Sequence, residues 1–275
     1  MGIKIKDKKI SEEFRLLTKL IELDNNHKLR QETPNEKCRY KTVIPYKDNK
    51  VKLISSKNFI NASWIHMPYP FYFIATQGPL PHTIEDFWTM CYENKVSVII
   101  MLCNLKEKDK EKCADYWNAK DLKNFEITTI EEKVENELCI RTLQLISLEN
   151  KNEIRTIKQI HLTQWEDHAS LNTDYLNIII NMITLMDEFK GKRNALVHCS
   201  AGVGRTGTFI CLYNLYHEII AQIKYTEKLD EITFCIFNLV RKIKEMRYLS
   251  VENEFQYSFL YLFANHLLTN FNVQK

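Results

Sequence analysis

The chain has 275 residues, of which 45% are hydrophobic, so it can bury one large core. Its 38 basic and 35 acidic side chains leave a net charge of only +3, which argues against binding nucleic acid through bulk charge. No stretch approaches the ~18 apolar residues of a membrane span, and no apolar secretory segment follows the first lysines. These features predict a soluble, cytoplasmic protein.

The eight cysteines contain no Cys-x-x-Cys pair, and most of them lie in apolar runs. In a chain of this length, that pattern favours reduced, buried thiols over a disulfide framework. The eight histidines show no metal-ligand spacing with the cysteines, so no metal site is expected.

The first predicted element is an amphipathic helix over residues 11–24, with Ser11 as its cap. Its apolar face comprises Phe14, Leu17, Leu20 and Ile21. Residues 73–80 predict a strand that ends in a Gly-Pro turn, and Thr83 predicts the cap of the helix that follows. The apolar run of residues 96–103 is typical of a central strand buried on both faces.

Residues 125–162 alternate apolar and polar side chains in three pieces, which predicts an antiparallel meander. Amphipathic helices are predicted over residues 173–189 and 230–248. Between them, the apolar residues 195–197 enter a glycine-containing loop, and a long apolar segment leaves it at Thr208. This order predicts a strand, a tight loop and a central helix.

That loop, residues 199–205, places Cys199 and Arg205 at its two ends, with Gly202 and Gly204 between them. The glycines allow successive backbone N–H groups to turn inward, where the positive end of the next helix also points. Arg205 adds a planar fork that can bind two oxygens of a phosphate. The same groups favour the thiolate form of Cys199, which would be a nucleophile toward phosphorus.

With His198 before it and Thr206 after it, this loop resembles the signature loop of the cysteine-dependent protein tyrosine phosphatases. Other segments resemble that family's motifs in the same order, over about residues 30–262: N-x-x-x-R-Y at 35–40, N-Y-I-N-A-S at 58–63, E-K…K-C-x-x-Y-W at 107–117, W-P-D at 165–167 and V-Q-T-x-x-Q-Y at 251–257. The resemblance implies one α/β domain with a highly twisted mixed sheet flanked by helices. An N-terminal helix at about 10–24 would precede a catalytic core at about 30–270.

The resemblance also implies a two-step mechanism without metal or cofactor. Cys199 would attack phosphorus while Asp167 protonates the leaving phenolate, and water would then hydrolyse the phosphocysteine with Asp167 as base. Thr206 would bond the leaving thiolate, and Gln256 and the residue at 252 would place the water. The phosphate would be held by Arg205 and by the loop amides of Ser200, Ala201, Gly202, Val203 and Gly204.

Around the loop, the resemblance assigns Tyr40 to the wall of a deep phosphotyrosine pocket and Lys112 to its rim. Glu107 would form an ion pair with Arg205. Three further residues would support the site: His198, Trp165 and Arg247.

Several positions depart from the family's pattern, including Phe59 in place of the tyrosine of N-Y-I-N-A-S and Ala169 where a glycine is common, and three others bear directly on the chemistry. Glu166 replaces the proline of the mobile acid loop, which predicts slower or less complete closure. Glu252 replaces the main water-orienting glutamine, so it points away, or its pKa rises, or the second step is slow. Thr42 stands where many members have an aspartate that contacts the substrate main chain.

The expected activity is hydrolysis of phosphotyrosine in proteins, and the expected form is a monomer that binds neither nucleic acid nor membranes. Two alternatives are a phosphotyrosine trap with slow turnover and an RNA 5′-triphosphatase. Tyr40 and the acid Asp167 argue against the second alternative. The composition and the Trp165-Glu166-Asp167 sequence resemble the small phosphatases of insect polydnaviruses, for which host signalling proteins in the host cytoplasm would be the substrates.

Overall fold

The structure is a computed structural model that describes residues 7–23, 32–69, 71–135, 137–150, 153–165, 173–189, 194–226 and 231–271. The strands are β1 (Ala62–His66), β2 (Tyr72–Thr76), β3 (Val98–Met101), β4 (Lys106–Glu107), β5 (Lys110–Glu111), β6 (Phe125–Glu135), β7 (Leu138–Ser147), β8 (Ile154–Leu162) and β9 (Asn194–His198). The helices are α1 (Asp7–Leu23), α2 (Ile84–Glu93), α3 (Thr173–Asp187), α4 (Gly204–Ile223), α5 (Ile236–Met246) and α6 (Glu254–Phe271). Of the helices described here, none is long and apolar enough to cross a membrane.

Seven strands form one mixed sheet in the order β1-β2-β9-β3-β8-β7-β6. The central strands β2, β9, β3 and β8 are parallel, and antiparallel pairs lie on both sides of them. Strand β3 is buried along its whole length, as its apolar sequence predicts for a strand covered on both faces. The α/β class, the mixed sheet and the meander of β6, β7 and β8 are therefore confirmed.

The nearly all-apolar segment after the signature loop forms α4, which is mostly buried and packs against α6. Its position follows from its composition, because a helix that is apolar on every side must be covered on every side. Helix α4 begins directly behind the carboxyl end of β9, so the loop between them lies at one edge of the sheet. That edge is where open parallel sheets place their binding sites.

Three local expectations need correction. Helix α1 begins before Ser11, whose hydroxyl donates instead to the carboxylate of Glu254 at the start of α6. Thr83 directly precedes α2 as expected, but its hydroxyl bonds the backbone of Leu80 and not the helix, because Thr83 is the last residue of a short 3-10 turn that starts at Pro81. Helix α5 is shorter than the predicted 230–248, and residues 227–230 lie outside the described chain.

A chain of hydrogen bonds crosses the interior of the sheet and ends at the signature loop. Nη1 of Arg141 donates to Oε1 of Gln159 at 2.9 Å, and Nε2 of Gln159 donates to the hydroxyl of Tyr116 at 2.6 Å. The Tyr116 oxygen lies 2.9 Å from Nε2 of His198, whose Nδ1 lies 3.1 Å from the carbonyl oxygen of Cys199. A neutral His198 completes this chain by accepting from Tyr116 and donating to Cys199.

Helix α1 packs on α5 and α6, and its neighbouring residues Leu16 and Leu17 differ sharply in exposure. Leu17 is fully buried, whereas Leu16 is 52% exposed. We expect Leu17→Ala to lower the free energy of unfolding by about 2–5 kcal/mol, because it leaves a cavity under the helix. Leu16→Ala is the matched control and should change it by less than ~0.5 kcal/mol. Urea denaturation measures both, and equal effects would show that α1 is not docked as described.

The buried histidines predict how stability depends on pH. Burial lowers the pKa of His198 to about 3, and burial together with Arg141 lowers that of His161 to about 4. An unfolded histidine titrates near ~6.5, so the unfolded chain binds more protons than the folded one between these values. The free energy of unfolding should therefore decrease as the pH is lowered below about 6.5. The decrease should reach up to ~1.4 kcal/mol per pH unit for each of the two histidines.

Denaturation with urea at several pH values checks this dependence. His198→Gln removes one titrating group and should flatten the decline, while His82→Gln, at an exposed histidine, should leave it unchanged. An unaltered slope in His198→Gln would contradict the assignment of a buried, neutral imidazole.

Candidate active site

The signature loop, residues 199–205, turns tightly between β9 and α4. Gly202 has φ of 72°, a backbone conformation that suits glycine. A Cβ atom at this position would also lie 2.1 Å from the carbonyl oxygen of Thr76, so no larger residue fits. The end of the neighbouring strand β2 therefore packs directly against the turn and restricts its conformation.

The loop is held from behind by Arg247, which is 1% exposed. Its Nε donates to the carbonyl oxygen of Gly202 at 2.6 Å, and its Nη2 reaches that of Ala201 at 3.4 Å. Nη1 and Nη2 also donate to Ser63 Oγ at 3.0 Å and to Asn61 Oδ1 at 2.9 Å. Burial lowers the pKa of Arg247 to about 10, which leaves it cationic at neutral pH.

The thiol of Cys199 lies inside this turn and is 5% exposed. The backbone N–H of Gly202 points inward and donates to Sγ of Cys199 at 3.3 Å. An inward N–H beside a sulfur, at the start of a helix, stabilises negative charge on that sulfur and on an anion bound above it. The carbonyl of Ser200 points the other way and accepts from Gly78 N at 3.0 Å.

Arg205 is nearly buried and makes the ion pair that the resemblance implies. Its Nη1 and Nη2 donate to the two carboxylate oxygens of Glu107 at 2.7 and 2.9 Å, and Nη1 also donates to the carbonyl of Leu102 at 2.9 Å. This two-pronged contact fixes the plane of the guanidinium, as a bidentate phosphate ligand requires. Nζ of Lys112 lies 4.0 Å from Oε2 of Glu107, at the rim of the same cluster.

Tyr40 stands at the mouth of the loop and is 37% exposed. Its hydroxyl lies 3.0 Å from Oγ of Ser200, so the aromatic wall and the loop are directly joined. Arg39 anchors the Tyr40 segment, because Nε donates to the carbonyl of Gly78 at 3.0 Å and Nη2 to that of Pro79 at 2.7 Å.

Glu252 and Gln256 reach the signature loop from the segment that precedes and opens α6. A Cβ atom at Gly204 would lie 2.9 Å from Oε2 of Glu252 and 2.9 Å from Nε2 of Gln256. The side chain of Gln256 is fixed, since its Oε1 accepts from the backbone N–H of Glu252 at 2.7 Å. Glu252 therefore does not point away from the loop. Of the three alternatives that the sequence left open for this residue, a raised pKa and a slow second step remain.

Two further predicted residues complete the described part of the site. Thr206 is buried, and among the residues that the structure describes its Oγ1 has no hydrogen-bond partner. Trp165 is buried against the rings of Tyr175 and Phe259, with centroids 6.0 and 6.3 Å away. The predicted acid Asp167 and its neighbour Glu166 lie outside the described residues.

Sequence reasoning missed several residues on which the site depends. Arg39 and Tyr116 lie inside quoted motifs, but only their partners show that they support the Tyr40 segment and His198. Asn61 and Ser63 also lie in a quoted motif, and they hold Arg247 across more than 180 residues of chain. A hydrogen bond between distant segments leaves no spacing signal in a single sequence.

The described residues thus bring together a thiol, an inward N–H, an oriented guanidinium, an aromatic wall and two polar side chains beside Gly204. This arrangement can bind a phosphate and attack its phosphorus. Within the described chain, no group of three or more His, Cys, Asp or Glu side chains could hold a metal ion.

Comparison with known proteins agrees with this chemistry. Residues 34–266 match the protein-tyrosine phosphatase family. The chain is 36% identical over 240 residues to receptor-type tyrosine-protein phosphatase eta of Mus musculus, covering 82% of this chain and 18% of that protein. It is 32% identical over 244 residues to tyrosine-protein phosphatase non-receptor type 20 of Rattus norvegicus, covering 86% of this chain and 55% of the relative. The chain thus spans between about a fifth and about half of these two relatives.

Solved structures agree with the sequence comparisons. The catalytic domain of human protein tyrosine phosphatase non-receptor type 18 superposes with a TM-score of 0.82 and 28% identity, covering 94% of this chain and 96% of that one. A structure of that phosphatase in complex with HER2 phosphopeptides also matches with a TM-score of 0.82, at 27% identity and over 94% and 93% of the two chains. Fold, sequence and site geometry agree that this chain belongs to the protein-tyrosine phosphatase family.

Proposed function

We propose that this protein hydrolyses phosphotyrosine in proteins through a phosphocysteine intermediate. The observation that carries the proposal is the thiol of Cys199, which lies inside a turn where Gly202 N–H donates to it at 3.3 Å. Glu107 holds Arg205 at the end of the same turn. A thiolate held at an anion-binding helix terminus is suited to attack a bound phosphate.

In the first step, Sγ of Cys199 attacks phosphorus and the phenolate oxygen leaves with a proton from Asp167. Arg205 and the amides of the signature loop bind the equatorial oxygens, whose charge they balance as the P–O bond breaks. In the second step, water displaces the cysteine, and Gln256 orients that water beside Gly204. The hydroxyl of Thr206, buried without a partner among the described residues, is suited to bond the departing thiolate.

Tyr40 supports tyrosine as the phosphorylated residue, because its ring lies at the mouth of the site and its hydroxyl contacts Ser200. A ring there can stack on a substrate phenyl ring and excludes shorter phosphoserine side chains.

We place the activity in the cytoplasm, since all eight cysteines are free thiols, as is typical of a reducing compartment. If the chain is of the polydnavirus type, its substrates are host signalling phosphoproteins. The protein acts as a monomer.

The second candidate function is a phosphotyrosine trap with slow turnover. It is favoured by the carboxylate of Glu252, which lies beside Gly204 at a site built for anions. A negative charge there would oppose the phosphate and slow the release of the enzyme from its phosphocysteine form.

Cys199→Ser should abolish hydrolysis of an aryl phosphate, because a hydroxyl is not ionised by the groups that favour a thiolate. Cys235→Ser, at the exposed cysteine, is the matched control and should retain full activity. Initial rates with p-nitrophenyl phosphate measure both. An enzyme that leaves aryl phosphates intact but releases the γ-phosphate of RNA 5′-triphosphates would refute the proposal.

Asp167→Ala should lower kcat by about 10²–10⁴-fold, and it should flatten the basic limb of the pH profile. Without Asp167, the leaving oxygen departs as an unprotonated phenolate, which raises the barrier of the first step. Glu166→Ala is the neighbouring control, and it should leave that limb in place. A loss that follows Glu166→Ala instead would mean that the acid is misassigned. The Asp167→Ala protein also retains bound substrate, so phosphoproteins captured by it would identify the substrates.

A further inference from the structure

The carboxylate of Glu252 occupies an unexpected position at an anion-binding turn. Gly204 is the first residue of α4, whose N-terminal end carries positive potential toward the signature loop. A Cβ atom on Gly204 would lie 2.9 Å from Oε2 of Glu252, so this oxygen lies against the signature loop where α4 begins. The carboxylate either hinders the anion or takes part in its chemistry.

The backbone around Glu252 is constrained to hold it there. Leu249 and Val251 have φ of 67° and 54°, and such values are strained for a β-branched residue like Val251. Gly207 of α4 allows this segment to come close, since a Cβ atom there would lie 2.7 Å from Cβ of Ser250. Strain of this kind persists only where the surroundings impose it, and it is common at functional sites.

Two hydrogen bonds fix the strained segment. Nζ of Lys244 donates to the carbonyl oxygen of Val251 at 3.0 Å, and Glu252 N–H donates to Oε1 of Gln256 at 2.7 Å. The second bond turns Nε2 of Gln256 toward Gly204, where it lies beside the Glu252 carboxylate. A donor and an acceptor thus face the same point above the helix terminus.

Lys244 also changes the charge balance at this point. Its side chain is 5% exposed, and burial lowers its pKa to about 8, while attraction to Glu252 acts in the opposite direction. Lys244 therefore carries a positive charge at neutral pH, beneath the peptide that bears Glu252. A buried cation next to the carboxylate offsets part of its repulsion toward a bound phosphate.

We propose that the Glu252 carboxylate, in place of Asp167, is the proton acceptor for hydrolysis of the phosphocysteine. This inference rests on the proposed function. Gln256 Nε2 donates to the attacking water, and Oε2 of Glu252 accepts one of its protons. The water oxygen bonds to phosphorus as the S–P bond breaks, and the electron pair of the S–P bond returns to Sγ of Cys199. Glu252 then passes the proton to the released phosphate or to solvent.

The test separates the two chemical steps. Stopped-flow measurements with p-nitrophenyl phosphate give the burst of nitrophenolate, and acid quenching with ³²P-labelled substrate gives the amount of phosphoenzyme. Glu252→Gln keeps the shape of the side chain but accepts no proton. It should slow hydrolysis of the phosphoenzyme by ~10²-fold or more and make phosphoenzyme accumulate, with its rate of formation little changed. Glu252→Asp keeps a carboxylate and should retain more of the second step than Glu252→Gln.

Two controls complete the design. Glu245→Gln removes a negative charge from α5, where this residue pairs with Arg241 at an exposed position, and it should leave both steps unchanged. Asp167→Ala lacks the acid of the first step, so its phosphoenzyme should form more slowly, but phosphoenzyme that has formed should be hydrolysed at the wild-type rate. A fall in that rate would show that Asp167 is the base and would overturn the inference.

Hydrolysis in Glu252→Gln that is as fast as in the wild type, or faster, would also overturn the inference, since the carboxylate would then be dispensable or repulsive. The same holds if formation and hydrolysis of phosphoenzyme fall together, because that pattern indicates a structural role. These failures leave the wild-type enzyme active. A wild-type protein that forms no phosphoenzyme would instead refute the proposed function, and the inference with it.

Discussion

The signature loop depends on the cation of Arg247 buried behind it. Arg247 draws the carbonyl oxygens of Gly202 and Ala201 toward itself and is fixed by Asn61 and Ser63. A peptide group points its carbonyl and its N–H in opposite directions, so carbonyls that face Arg247 leave N–H groups facing the thiol. The contact between Gly202 N–H and Cys199 follows from this arrangement. The anion site is thus organised by hydrogen bonds on the side that no substrate touches.

Two carboxylates border the site, and different roles are proposed for them. Glu107 lies behind Arg205 and fixes the plane of its guanidinium through two hydrogen bonds. Glu252 lies in front, beside Gly204, and is held by a strained backbone over the buried cation of Lys244. A carboxylate behind an arginine orients positive charge, whereas a carboxylate facing the loop can receive a proton. Under the proposed mechanism, the same functional group acts differently according to the side of the loop on which it lies.

The features that are local in the chain were predictable from the sequence. The strand, loop and helix around Cys199 follow from apolar runs that flank two glycines, and the buried strand β3 follows from its uninterrupted apolar sequence. The meander follows from alternation, because a strand with one buried face repeats every two residues. The start of α1 was misjudged, since Ser11 has the chemistry of a cap but finds its partner in Glu254 on a distant helix.

By itself, the sequence determined the reactive loop, the α/β class and the family resemblance, because these depend on residue types at short spacing. The tertiary structure decided which distant groups meet that loop. It placed Glu252 against Gly204, directed Arg247 to the loop carbonyls, and joined His198 to Arg141 through Gln159 and Tyr116. The physical reason is that such contacts arise from packing between segments far apart in the chain. Neither periodicity nor spacing reports the direction in which a side chain finally points.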